Sequence, residues 1–129
     1  MQAIPSLPEL RKMNIESLKK ACIEIREFIL NSTSEKAGHL ASSLGVTELT
    51  VALHIILDTP EDVLIWDVGH QAYVHKVITD RADVFKSNRK KNGPSGFPNR
   101  NESNFDSFGV GHSSTALSAL IGFARADVL

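Results

Sequence analysis

The sequence has few of the features that mark secreted, membrane-spanning or nucleic-acid-binding proteins. Its one cysteine, Cys22, excludes an internal disulfide and fits a reducing compartment. No apolar run approaches the ~20 residues needed to cross a bilayer, and residues 1–12 lack the apolar core of a signal peptide. The formal net charge of -1 gives no basic field for nucleic acid or an anionic membrane. We therefore expect a cytoplasmic protein that binds neither.

The overall composition is typical of one globular domain. The chain has 129 residues, of which 42% are hydrophobic and 22% are charged, so it can bury a single core. Internal repeats and low-complexity segments are absent. We therefore treat residues 1–129 as one unit without an internal domain boundary.

Apolar periodicity predicts a long helix near the N-terminus and a buried helix after it. Apolar residues recur at three- and four-residue steps over 14–32, with Asn14 as a suitable N-cap and Cys22 on the apolar face. The stretch from 32 to 45 is polar and contains glycine, so we expect a loop. Residues 46–57 are apolar nearly all round, and Thr47 can cap this helix. We expect His54, inside it, to be a core histidine bonded to a neighbour.

The second half of the chain predicts alternating strands and helices. The apolar run Val63–Trp66 is typical of a strand buried on both faces, and residues 107–110 form a possible second strand. A short helix follows the first strand, and a helix with an apolar stripe follows the second. This order predicts an α/β fold, namely part of a mainly parallel sheet flanked by helices. Between the strands, the polar loop Lys86–Ser103 is of the kind that is often functional or mobile, and its role is open.

Two turns of similar design mark the candidate site. Gly69-His70 follows the first predicted strand, and Gly111-His112-Ser113 follows the second. Ligands of open α/β sheets bind at the carboxyl ends of strands, and the N–H groups at a helix start favour a phosphate. An ordinary Ser/Thr-capped helix is the simpler interpretation of the second turn. We assign no metal ligand, because His70 and His75 are five residues apart and no His-Glu-x-x-His or Cys-x-x-Cys motif occurs.

Longer stretches resemble one enzyme family. They are AGHLASSLGVTELTVALH, DTPEDVLIWDVGHQAYVHKVITDR, GPSGFPNRNES and DSFGVGHSSTALSALIGFA. They resemble the N-terminal part of the 1-deoxy-D-xylulose-5-phosphate synthases, which are transketolase-like enzymes that use thiamine diphosphate. The resemblance covers residues 10–126, and Val74 stands where the family usually has proline.

The resemblance implies a fold, a reaction and a set of site residues. The family's first domain is a mainly parallel α/β sheet that holds thiamine diphosphate with Mg²⁺. The enzyme, expected to be a homodimer when full length, condenses pyruvate with D-glyceraldehyde 3-phosphate and releases CO₂, which supplies isoprenoid, thiamine and pyridoxal synthesis. The matching motifs imply cofactor contacts for His70, Gly111, His112 and Ser113. They also imply catalytic roles for His39 and His70 near the reacting carbon.

Two motifs of the family are missing from the sequence. One is the Gly-Asp-Gly motif that holds Mg²⁺ and the diphosphate, expected shortly after the GHSST helix. The other is the glutamate of a later domain that activates the aminopyrimidine ring. We therefore expect an N-terminal segment that is inactive alone, with metal ligands beyond residue 129. Another transketolase-like enzyme and a non-catalytic binding or assembly module remain as alternatives, and a Gly-Asp-Gly further along the reading frame would argue against the module.

Overall fold

Helices form all the regular secondary structure of residues 4–33 and 40–127, the part of the chain that the computed structural model describes. They are α1 (Leu7–Leu10), α2 (Ile15–Thr33), α3 (Leu40–Gly45), α4 (Thr47–Ile56), α5 (Tyr73–Lys76) and α6 (Thr115–Ala126). A π-helical turn, Val77–Arg81, continues α5, and a 3₁₀ turn follows at Phe85–Ser87.

The predicted parallel sheet is wrong for this part of the chain. The two predicted strands, Val63–Trp66 and residues 107–110, are irregular and pair with no strand among the described residues. A strand exists only through hydrogen bonds to a neighbouring strand, and the two described ranges contain none. The apolar and β-branched composition of Val63–Trp66 favours a strand, but composition does not supply a pairing partner. The α/β fold class is replaced by an all-helical arrangement in the described residues.

The core lies between α2, α4 and α5, and the apolar face predicted for α2 forms part of it. Cys22, Ile25 and Ile29 of α2 are buried against Val51 of α4 and the apolar face of α5. The helices predicted over 14–32 and 46–57 are confirmed, with Asn14 capping α2 by accepting the Ser17 N–H at 2.9 Å.

Two local predictions around α3 and α4 were wrong. Residues 40–45, predicted as loop, form α3, because Ser43 packs at 0% exposure and lends this polar segment a buried face. Thr47 is the first residue of α4 rather than its cap, and its hydroxyl donates backwards to the Leu44 carbonyl at 3.0 Å. Of the rest of that predicted loop, residues 32 and 33 end α2 and residues 34–39 lie outside the described residues.

The last helix forms as predicted but does not bury its predicted apolar stripe. In α6 only Ala116 is buried, while Leu117 and Ile121 are 68% and 66% exposed. Periodicity identifies an apolar face without identifying what covers it, and the described residues provide no surface that packs on this stripe.

A row of buried polar side chains links α4, α5 and the long loop. His54 contacts Thr59 through Nδ1 and His75 through Nε2, each at 2.8 Å, which confirms the predicted core histidine bonded to a neighbour. His75 Nε2 in turn lies 2.8 Å from Asp106, and Arg81 binds both oxygens of the Asp106 carboxylate at 2.6 and 2.8 Å.

We call this set of side chains the buried histidine row (Thr59, His54, His75, Asp106 and Arg81). The ionised carboxylate of Asp106 determines which ring nitrogens of the two histidines carry a proton. Asp106 only accepts, so His75 carries its proton on Nε2 and accepts from His54 on Nδ1. His54 then carries its proton on Nε2 and accepts the hydroxyl proton of Thr59. Burial lowers the pKa of His54 from 6.5 to about 3, with His75 adding to the effect. Both histidines are therefore neutral near pH 7.

The buried histidine row also anchors the loop that follows α5. Asp106 accepts the Asn99 N–H at 2.7 Å, so the backbone next to Pro98 is fixed to the core. Glu102 accepts the Ser95 N–H at 2.6 Å and pairs with the buried ammonium of Lys76 at 2.6 Å. These hydrogen bonds hold much of the segment for which the sequence allowed mobility.

Candidate cofactor site

The two turns singled out in the sequence lie against each other. The Asp67 carboxylate accepts the backbone N–H of Ser114 at 3.1 Å and that of Ala116 at 3.4 Å. It thereby joins the chain just after Val63–Trp66 to the start of α6, across 47 residues of sequence. The two turns therefore lie together although no sheet joins them in the described residues.

Gly69 makes the second contact between the turns. It has a φ of 88°, which favours glycine, and a Cβ built there would lie well inside 3.0 Å of Val110 and Pro98. Val110 precedes Gly111 of the second turn, and Pro98 belongs to the loop anchored by Asp106. Any larger residue at position 69 would therefore force the turns apart.

Both turns also contain a non-glycine residue in the left-handed region. Val68 has a φ of 60° and Ser114 a φ of 69°. For a β-branched residue such as valine this conformation is strained, at a cost of order 1–3 kcal/mol. Strained backbone of this kind is concentrated at functional sites, which makes this pair of turns the strongest candidate in the described chain.

The His70 turn is also tied to α3. The hydroxyls of Ser42 and Ser43 donate to the His70 carbonyl at 3.4 and 3.2 Å, and Ser43 Oγ accepts the Tyr73 N–H at 3.4 Å. These contacts hold the half-buried His70 between α3 and α5. His39, the other predicted catalytic histidine, precedes α3 in sequence and lies outside the described residues.

The Gly111-His112-Ser113 turn is open to solvent. All three residues are exposed, and a Cβ built at Gly111 would meet no atom within 4 Å. The His112 carbonyl accepts the Thr115 hydroxyl at 2.9 Å, which shapes the first turn of α6. The cap residue, Ser114, makes no side-chain capping hydrogen bond.

The donors of these turns suit the diphosphate of a cofactor in part. Exposed glycine backbone, a serine hydroxyl and imidazole groups are the groups that bind phosphate oxygens at a helix start. The Asp67 carboxylate, however, already accepts two N–H groups there. For a divalent cation, residues 4–33 and 40–127 contain no group of three or more His, Cys, Asp or Glu side chains that could hold it. No helix within the same ranges is long and apolar enough to cross a membrane.

Comparison with known proteins gives the relationship directly. The family model described as 1-deoxy-D-xylulose-5-phosphate synthase matches residues 1–129. The chain belongs to the 1-deoxy-D-xylulose-5-phosphate synthase family. Proteins of that name from Cytophaga hutchinsonii and Dictyoglomus turgidum are 54% and 53% identical to it over 127 and 126 residues, each alignment covering 98% of this chain. The one from Leptothrix cholodnii is 51% identical over 132 residues, again covering 98%.

The chain spans about a fifth of the length of these synthases, namely 20% of the first two and 21% of the third. Within this shared segment, sequence reasoning found both turns but missed residues that position them. Asp67 could have been found, since it stands in the same DVGH motif as His70. Asp106 could not, because the link to His75 spans 31 residues and has no sequence signature.

Proposed function

We propose that this chain is part of a synthase that condenses pyruvate with D-glyceraldehyde 3-phosphate, releases CO₂ and forms 1-deoxy-D-xylulose 5-phosphate. Family membership supports the reaction, since relatives at about half identity carry the name of that synthase. The observation that carries the proposal at residue level is the contact between the DVGH and GHSST turns. We propose thiamine diphosphate with Mg²⁺ as the cofactor and a homodimer as the full-length assembly.

In this proposal the second turn binds the diphosphate end of the cofactor. Gly111 allows close approach of a ligand to the backbone, Ser113 contributes a hydroxyl donor, and His112 contributes an imidazole at the same exposed turn. When bound, thiamine diphosphate supplies the electron sink that no side chain provides. The protein's own contribution is to bind, orient and shield that group.

His70 is the proposed link between binding and chemistry. Its backbone is fixed from two sides, by Ser43 of α3 and through Gly69 by the second turn. A histidine held in this way can donate a hydrogen bond or move a proton without first losing conformational freedom. We propose the same kind of role, proton transfer or substrate placement, for His39.

The test uses a full-length synthase carrying this segment and the variant His70→Ala, with His75→Gln as a structural control. If His70 acts on cofactor or substrate, kcat or cofactor affinity falls about ten- to hundred-fold for one lost hydrogen bond, and up to roughly 10⁴-fold if it also moves a proton. The melting temperature should change little. A large loss of melting temperature with normal kcat and affinity, as expected for His75→Gln, would show that His70 is structural.

A second test addresses the isolated chain. We propose that the purified 129-residue chain does not turn over pyruvate and glyceraldehyde phosphate, and that it binds thiamine diphosphate weakly. The open, solvent-exposed Gly111-His112-Ser113 turn supports this proposal, because a site without water exclusion holds a polyanion poorly. Turnover by the purified chain would contradict it.

A further inference from the structure

Asp67 is the residue of the DVGH motif to which neither sequence reasoning nor the comparisons give a role. Its side chain is exposed, yet both carboxylate oxygens accept backbone N–H groups of α6, from Ser114 at 3.1 Å and from Ala116 at 3.4 Å. Its backbone carbonyl accepts the Gly69 N–H at 2.7 Å and the Gln71 side-chain amide at 3.1 Å. Asp67 is thus bonded into both turns at once.

We propose that Asp67 is a positioning residue that clamps the two cofactor turns together, an inference that rests on the function proposed above. The Asp67 clamp consists of Asp67 and the amides of Ser114 and Ala116.

The clamp explains how α6 can begin after Ser114, although the Ser114 side chain makes no capping hydrogen bond. Ser114 occupies the N-cap position in a left-handed conformation, with φ 69°, and makes no side-chain capping bond. The first N–H groups of a helix need acceptors, and an anionic side chain also suits the positive end of the helix dipole. Asp67 provides that acceptor from a distant part of the chain, so capping α6 and fixing the separation of the turns are the same interaction.

The negative charge of Asp67 allows two opposite effects on cofactor binding. The carboxylate repels a nearby diphosphate, so it weakens binding unless holding the two turns together contributes more to the affinity than the repulsion costs. If Asp67 only fills the helix start while no cofactor is bound, its removal should tighten cofactor binding. If Asp67 clamps the turns, removal should weaken binding, because the ligand must then order both turns itself.

The experiment compares three variants of a full-length synthase carrying this segment. Asp67→Asn keeps one oxygen acceptor and removes the charge, and Asp67→Ala removes both acceptors. Asp83→Asn is the matched control, because it removes the same charge from an exposed aspartate outside the site. Should the alanine variant fail to fold, the asparagine variant carries the test. Thiamine diphosphate is titrated by calorimetry with saturating Mg²⁺, kcat is measured at saturating cofactor, and hydrogen exchange is followed without cofactor.

The clamp predicts a dissociation constant for thiamine diphosphate raised on the order of ten-fold in Asp67→Ala, the size expected for losing a helix-capping interaction. The increase should be smaller in Asp67→Asn and absent in Asp83→Asn. Because positioning is restored once the cofactor is bound, kcat at saturation should stay near that of the parent protein. Exchange at the amides of Ser114 and Ala116 should rise about ten-fold without cofactor.

Unchanged exchange at these amides would overturn the clamp itself. Faster exchange with unchanged or tighter cofactor binding would overturn its positioning role and leave Asp67 as a cap or place-holder. A lower kcat at saturation with unchanged affinity would overturn it too. If the unsubstituted synthase does not bind thiamine diphosphate, the proposed function fails, while the exchange measurement still decides the clamp.

Discussion

The buried histidine row predicts that this protein loses stability in mild acid, before most carboxylates titrate. His54 and His75 are both 0% exposed, and burial is the main cause that lowers the pKa of each. For His54 the folded pKa is about 3, against 6.5 for the ordinary side chain. Between these two values the unfolded chain binds a proton that the folded protein excludes. Stability contributed by neutral His54 is therefore full above about pH 6.5 and is lost as the pH falls through this window.

The lowered pKa of His54 sets how much unfolding free energy is lost on acidification. Each pH unit inside the window costs about 1.4 kcal/mol of unfolding free energy per excluded proton. Lowering the pH from 6.5 to 5 should thus remove about 2 kcal/mol through His54 alone, and His75 acts in the same direction. Burial alone would raise the pKa of Asp106, but hydrogen bonds from His75 and Arg81 outweigh it and lower that pKa. Its contribution is therefore lost only below the ordinary aspartate value of 3.8.

Urea unfolding of the protein at pH 7, 6.5, 6, 5.5 and 5 measures this directly. The variant His54→Gln should flatten the slope by about 1.4 kcal/mol per pH unit. The control His112→Gln removes an exposed histidine and should leave the slope of the parent protein unchanged. An unfolding free energy that stays constant from pH 6.5 to 5 would refute the reasoning, as would equal slopes for the parent protein and His54→Gln.

The remaining predictions concern packing and charge. Gly69→Ala should destabilise the protein by about 1–3 kcal/mol, since a Cβ collides with Pro98 and Val110 at a φ of 88°. It should also weaken cofactor binding in the full-length synthase, and an unchanged melting temperature would contradict the prediction. Gly122→Ala is the matched control in α6, where a Cβ meets nothing within 4 Å, and it should stabilise by about 0.5–1 kcal/mol because alanine favours helix. Asp106→Ala should destabilise the protein by about 3 kcal/mol, because the buried Arg81 guanidinium is then left with its longer ionic contacts to Asp80 and Glu102, at 3.5 and 3.6 Å. Adding Arg81→Leu to Asp106→Ala should recover part of that loss, and urea unfolding that shows no recovery would argue against the pair as its source.

The sequence by itself determined three of the helices and the membership of a family. Apolar residues at three- and four-residue steps specified α2 and α6, and a long run that is apolar nearly all round specified α4, since helical hydrogen bonds are local. The DVGH and GHSST motifs identified the two turns that the structure brings together. Motif chemistry needs only residue types in a fixed order, so a candidate site could be predicted without coordinates.

Tertiary structure decided everything that depends on a partner distant in sequence. The composition of Val63–Trp66 predicts a strand, but a strand needs a neighbour to accept its hydrogen bonds, and the described residues offer none. The apolar stripe of α6 was correct as a pattern and remains exposed for the same reason. The His75–Asp106 contact and the Asp67 clamp join residues 31 and 47 or more positions apart. No sequence motif marks these two contacts. They stabilise the protein only after folding has removed both partners from water, as for His75 and Asp106, or has placed a carboxylate at a helix end, as for Asp67.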